Sequence, residues 1–150
     1  MKHKLRKGLA VGVICLLMLV SIPTTIGTED FNIKVKVKPG RRVLPRIYSE
    51  DIWIFFNVGV INDGPNISSA YNVEFTITSI FGQSKGKEDY REEWTWGPNL
   101  PNTGMGRYIQ YFTNSRGFFE VWKAQATIDV DDANPDDDTS SFVFIVVNYP

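Results

Sequence analysis

From Phe31 onward, apolar and polar residues alternate with a period of two, the pattern of strands that bury one face. Phe31, Ile33, Val35 and Val37 alternate with Asn32, Lys34, Lys36 and Lys38, and Pro39-Gly40 ends the run. The apolar set faces the core, and the lysine row suits a sheet edge, where charge discourages pairing with another chain. Residues 41 to 51 form a connection that contains Pro45. In the second run Ile52, Ile54, Phe56, Val58 and Val60 share a face, while Trp53, Phe55 and Ile61 make the other face partly apolar, which predicts a central strand. Asn62-Asp63-Gly64-Pro65-Asn66 is a turn, because Gly and Asn tolerate positive φ and Pro fixes its own. Tyr71, Val73, Phe75 and Ile77 define a third strand. The polar stretch 81 to 93 reads as a loop or a weak edge strand, followed by a short piece at Trp94-Thr95-Trp96 and a long turn from Gly97 to Gly104. Three more strands follow, over 107–113, 118–130 and 141–147, with an acidic turn at 131–138 before the last. In the sixth, Trp122, Ala124, Ala126 and Ile128 form the inward set. Helical periodicity is nearly absent, and seven strands at this spacing point to a sandwich or a barrel.

The first residues break this pattern. Lys2, His3, Lys4, Arg6 and Lys7 precede an apolar run from Leu9 to Val20, and Ser21 to Gly27 form a small, polar exit. That order of regions is a secretory signal peptide, with cleavage expected after Gly27. The run falls short of the ~20 residues of a membrane span, and Pro23 interrupts a helix continuing past it. An uncleaved N-terminal anchor is the alternative, and the only membrane association expected. Cys15 follows Ile14 in mid-run and lacks the small residue that a lipobox needs just before its cysteine. Lys7-Gly8-Leu9-Ala10 is similar to the processing site of archaeal pilin-like precursors, although Pro23 and Thr24-Thr25 end the apolar run early.

Loss of residues 1–27 removes four of the 16 basic residues and none of the 17 acidic ones, leaving a net charge near −5. A nucleic-acid binder would carry a basic face. The single Cys and single His leave with the same segment, so the remainder has no disulfide, no Cys/His zinc site and no Ser–His or Cys–His pair. Glu88-Asp89 and Glu92-Glu93 sit in a polar run with no apolar pocket to raise a pKa, and read as a solvated face.

Val58-Gly59-Val60-Ile61-Asn62-Asp63-Gly64, leading into Ser69-Ala70-Tyr71-Asn72-Val73-Glu74-Phe75, resembles the CARDB-like, cell-adhesion-related domains of prokaryotic surface proteins. So do Gly117-Phe118-Phe119-Glu120-Val121 through Ala126-Thr127-Ile128-Asp129 and the acidic loop behind them. The resemblance spans roughly residues 31–148. It departs at Asp138-Thr139-Ser140-Ser141, where such domains often carry a Glu and an Asn-Asn pair. It implies an all-β, immunoglobulin-like, seven-stranded antiparallel sandwich over residues 28–150. It also implies an adhesion or structural role and no enzyme.

Three candidate sites stand out. Asp129, Asp131, Asp132, Asn134, Asp136, Asp137 and Asp138 place many oxygens within ten residues. Hard cations such as calcium take such ligands, and Asp129, Asp131, Asp132, Asn134 and Asp136 form the expected set. The spacing is not that of an EF-hand, and a solvated acidic turn is the alternative. Trp94 and Trp96, two residues apart on one strand face, could stack on sugar rings or pack inward, whereas Trp53 and Trp122 are expected in the core. Asn66-Ile67-Ser68 fits the N-glycosylation acceptor pattern. Together these features describe a non-catalytic, secreted or cell-surface interaction module whose partner is another surface protein or a polysaccharide. A carbohydrate-binding accessory domain using Trp94 and Trp96, or a pilin-like subunit, is the alternative.

Overall fold

A computed structural model describes residues 31–40, 47–49, 51–113, 117–132 and 134–148. The expected signal segment 1–27, with His3 and Cys15, and residues 41–46 of the connection, with Pro45, lie outside these residues. Eight strands are formed: β1 (Ile33–Pro39), β2 (Ile47–Ser49), β3 (Trp53–Asn62), β4 (Tyr71–Phe81), β5 (Glu88–Trp96), β6 (Thr103–Phe112), β7 (Phe119–Asp129) and β8 (Thr139–Val147). One 3-10 turn, Pro135–Asp137, is the sole helical element among the described residues.

The strands form two sheets, one in the order β1-β3-β6 and the other in the order β2-β8-β7-β4-β5. All pairs are antiparallel except β2 with β8. The alternation dictates what lies between the sheets. Ile33, Val35 and Val37 of β1, Ile54, Phe56, Val58 and Val60 of β3, and Ile109 and Tyr111 of β6 face inward. They meet Tyr71, Val73, Phe75 and Ile77 of β4, Trp122, Ala124, Ala126 and Ile128 of β7, and Phe142, Phe144 and Val146 of β8. Phe56 sits at the centre, 5.6 Å from both Phe75 and Phe144 between ring centroids. Across the ladders Ala126 pairs with Phe75 and Ala124 with Phe142, so small residues stand beside large ones.

The structure departs from the sequence expectations in three places. β2 is an additional strand, pairing in parallel with the end of β8, so the count is eight rather than seven. Of the two readings of the polar stretch, the edge strand is the one observed, and the departure is that it runs unbroken through Trp94-Thr95-Trp96 as the nine-residue β5. Its inward positions Tyr90, Glu92 and Trp94 close the side of the sandwich against β6: Arg107 pairs with Glu92 and lies 4.7 Å over the Trp94 ring. The Tyr111 hydroxyl donates to Asp89 at 2.9 Å. Burial, together with the Glu92 carboxylate that accepts its proton at 2.6 Å, pushes the Tyr90 hydroxyl up to about 12. Third, Trp53 is 57% exposed, correcting its assignment to the core. It has the opposite parity to Ile54, and among the described residues no second layer covers the outer face of the three-stranded sheet.

Two turns hold the ends. Asn62, fully buried, donates from Nδ2 to the carbonyls of Asn66 (2.7 Å) and Asn99 (3.0 Å). Its Oδ1 accepts from the Gly64 N–H at 3.1 Å. At the opposite end Glu120, also fully buried, accepts the Ser84 N–H at 3.1 Å. Gly82 makes this possible: its φ is +108°, and a Cβ there would stand 2.7 Å from Glu120 Cγ.

Candidate metal centre

The acidic segment links β7 to β8 at the end of the sandwich where the described chain enters. Its geometry is built from short-range necessities. Pro135 opens the 3-10 turn, and Asp138 closes back with its carbonyl accepting the Ile128 N–H at 2.9 Å. Asp132 accepts the backbone N–H of Asn134 at 2.9 Å through Oδ1 and that of Ile33 at 2.6 Å through Oδ2. The loop is thereby pinned to the first residue of β1.

This folding brings Asp132, Asp137 and Asp138 together, each partly buried, with one oxygen of each lying within 4.8 Å of the others. Three carboxylates so close repel one another. Burial first, then the charges of Asp132, Asp137 and Asp129, push the Asp138 carboxyl up to about 6. Compensation is partial. Lys34 forms an ion pair with Asp63 and lies 3.6 Å from Asp137, while Asn32 Nδ2 donates to Asp63 at 2.5 Å. Hydrogen bonding to Lys34 holds the Asp63 carboxyl below its ordinary value. Asp137 Oδ1, Asp138 Oδ1 and Asn32 Oδ1 are buried and have no hydrogen-bond partner.

Of the five expected ligands, Asp132 is in this cluster. Asn134 braces it through its backbone N–H, and Asp129, Asp131 and Asp136 are exposed and outside it. Asp137 and Asp138 were visible as part of the acidic run, but the 3-10 turn that swings them inward carries no signal beyond Pro135. Asn32 sits in an alternating strand pattern and gave no sign of its position beside the loop.

Trp94 and Trp96 are both half-buried, with ring centroids 5.4 Å apart and planes at 74°. Two rings edge to face, one of them under Arg107, make a strut between β5 and β6 rather than a flat platform. Asn66 is exposed in its turn, and its backbone carbonyl accepts from Asn62.

No protein-family model matches this chain, and no curated protein matches it. Solved structures do. The CARDB domain of the PF1109 protein from Pyrococcus furiosus, crystallised in complex with di-metal ions, superposes with a TM-score of 0.57 at 17% identity, over 81% of this chain and 96% of that one. The solution structure of the same domain gives 0.58 at 17% identity, over 80% and 98%. An alkylpurine DNA glycosylase from Pseudomonas fluorescens, bound to DNA containing an abasic site analogue, gives 0.50 at 8% identity, over 82% of this chain and 32% of that one. The chain therefore has a CARDB-like fold.

Proposed function

We propose that this CARDB-like chain is a non-catalytic interaction module, secreted or held at the cell surface, whose acidic loop is organised by a divalent cation. The observation that carries the cation is the convergence of Asp132, Asp137 and Asp138 with buried, unpartnered oxygens on Asp137 and Asp138. A buried carboxylate oxygen without a donor is costly, and a cation satisfies several at once. The donor set fits a hard ion: it contains only oxygen, which favours calcium or magnesium over zinc. Asp132, Asp137 and Asp138 would hold it. Three carboxylates supply fewer than the six to eight oxygens that calcium takes, so water completes the shell and binding is weak. The di-metal complex of the CARDB domain from Pyrococcus furiosus supports this reading.

Such an ion supplies charge neutralisation. The chain's residues do the rest: Asp132 ties the loop to Ile33, and Ile128 ties it to the end of β7. A neutralised loop is a rigid end for a module that joins other surface components. The absence of any His or Cys after residue 15 removes the usual nucleophile–base pairs and supports a non-catalytic role. Calorimetric titration of calcium into the EDTA-treated chain tests the proposal. Saturable binding with Kd near 10⁻⁴ to 10⁻³ M is expected, and an Asp132→Asn, Asp138→Asn double variant should lose it. Absence of binding heat at millimolar calcium, together with an unchanged melting temperature, would count against it.

A further inference from the structure

The outer face of the three-stranded sheet is set apart by its make-up. Its outward positions are Lys34, Lys36 and Lys38 on β1, Trp53, Phe55, Asn57, Gly59 and Ile61 on β3, and Gly104, Gly106, Tyr108, Gln110 and Phe112 on β6. No acid occurs among them, although the chain has 17. Four exposed aromatics share this face: Trp53 (57%), Phe55 (39%), Tyr108 (73%) and Phe112 (41%). Trp53 and Phe112 are cross-strand partners with ring centroids 5.1 Å apart. The next rows set Phe55 beside Gln110, then Lys38, Asn57 and Tyr108 in line across all three strands.

Beyond that line the surface is bare. Gly59 pairs with Gly106, and neither glycine is required by packing. A Cβ at Gly59 would meet nothing closer than 3.9 Å, and one at Gly106 nothing closer than 3.5 Å. Neither has a positive φ. Gly59 lines an open hollow of about 580 Å³ with the three lysines, Asn57 and Ile61, and the hollow extends to Thr139 and Ser140 at the start of β8. Asp136 and Asp137 line it as well, and Lys34 is paired with Asp63 and Asp137. Lys36 and Lys38 are exposed and form no ion pair among the described residues. Side chains two apart on a strand stand about 6.6 Å from one another, so these two offer adjacent cationic points beside a flat apolar strip.

We propose that this face binds an acidic polysaccharide, with Trp53 and Tyr108 stacking on sugar rings and Lys36 and Lys38 meeting the carboxylates. Charge complementarity selects this occupant. A neutral glycan has no use for the lysines, and an apolar protein patch would leave them unpaired against it. A nucleic acid matches the rings and the sign, but the two free lysines fall short of the basic stripe that a phosphate backbone needs.

The test uses the full-length chain in non-ionic detergent and EDTA, so that calcium bridging plays no part. Affinity electrophoresis through gels containing polygalacturonate, dextran or poly(U) measures retardation. Retardation by polygalacturonate that fades with added salt is expected, with little by dextran and less by poly(U). Trp53→Ala and Tyr108→Ala should each weaken it about fivefold. Lys36→Gln with Lys38→Gln should weaken it by a similar factor and flatten the salt dependence, as expected for exposed charges. Lys123→Gln, on the outer face of the other sheet, should change nothing. All five positions lie on outward faces, so an unchanged melting temperature verifies the fold of each variant. No retardation by polygalacturonate, equal retardation by dextran, or stronger retardation by poly(U) overturns the proposal. So does indifference to the aromatic substitutions, or an equal effect of Lys123→Gln.

Discussion

The carboxylate of Asp132 accepts the backbone N–H of Ile33 at 2.6 Å, a bond between residues 99 apart in sequence. One oxygen of the acidic cluster thus closes the contact that seats β1 beside the loop before β8. On the proposed cation site, filling the cluster and seating β1 would be coupled. A cation that binds only the folded arrangement stabilises by mass action, by about 2.7 kcal/mol at a hundredfold excess over its dissociation constant.

Two substitutions at this position separate its roles. Asp132→Asn keeps an oxygen for Ile33 and loses the charge, whereas Asp132→Ala loses both. In EDTA the alanine variant should be the less stable of the two, by about 0.5–1.5 kcal/mol, the worth of a neutral hydrogen bond. Neither should respond to calcium. Urea titrations in EDTA and in calcium measure both effects.

Asn62 predicts a loss of another kind. Replacing it with Ala leaves the carbonyls of Asn66 and Asn99 and the N–H of Gly64 without their side-chain partner in a buried place. A cost of about 2–4 kcal/mol is expected, because each bond is worth about 1 kcal/mol and the orphaned groups add to it. A loss below about 0.5 kcal/mol in urea would mean that water replaces the amide.

Trp122 and Trp53 form a matched contrast. Trp122 is 1% exposed and Trp53 57% exposed. Trp122→Ala should cost about 3–5 kcal/mol, the range for a buried aromatic. Trp53→Ala should cost less than about 1 kcal/mol, as exposed positions do. Equal losses in a denaturant titration would mean that something covers the outer face of the three-stranded sheet.

Strand parity made much of this legible. The alternating runs in β1, β3, β4 and β7 place Val35, Phe56, Phe75 and Trp122 inward, as they are observed. The same parity already put Trp53 outward. Its assignment to the core rested on residue type, and parity decided the outcome. β5 was obscured because its inward positions carry Tyr90 and Glu92, which look solvated until Arg107 and Tyr111 of β6 supply their partners. β2 has three residues, too few for alternation to register. Within the loop, the acidic run was plain but its geometry was not. Which carboxylates converge depends on a 3-10 turn and on a backbone N–H from Ile33, and neither leaves a periodic trace. Glu120 is the reverse case, a charged residue type on an inward position, held there by the Ser84 N–H.

The raised Asp138 carboxyl predicts a pH dependence of defined sign. In the folded state it titrates near 6, against 3.8 for an unperturbed group. Between these values the folded chain binds more protons than the unfolded one, so stability falls as pH rises from about 4 to about 6. The contribution is fully present below pH 4 and is lost above 6. In EDTA, Asp138→Asn should flatten the melting temperature across this window. Calcium should hold the melting temperature up at the high-pH end, where the empty cluster is fully charged.

The most direct measurement is the melting curve at pH 7 in EDTA, in millimolar calcium and in millimolar magnesium at matched ionic strength, for the chain and its Asp132→Asn, Asp138→Asn double variant. Binding to the folded state predicts a rise in calcium, a smaller rise in magnesium, whose tighter octahedral shell dehydrates reluctantly, and no rise in the double variant. Three superimposable curves for the unaltered chain would contradict the cation site and leave the loop a solvated acidic turn.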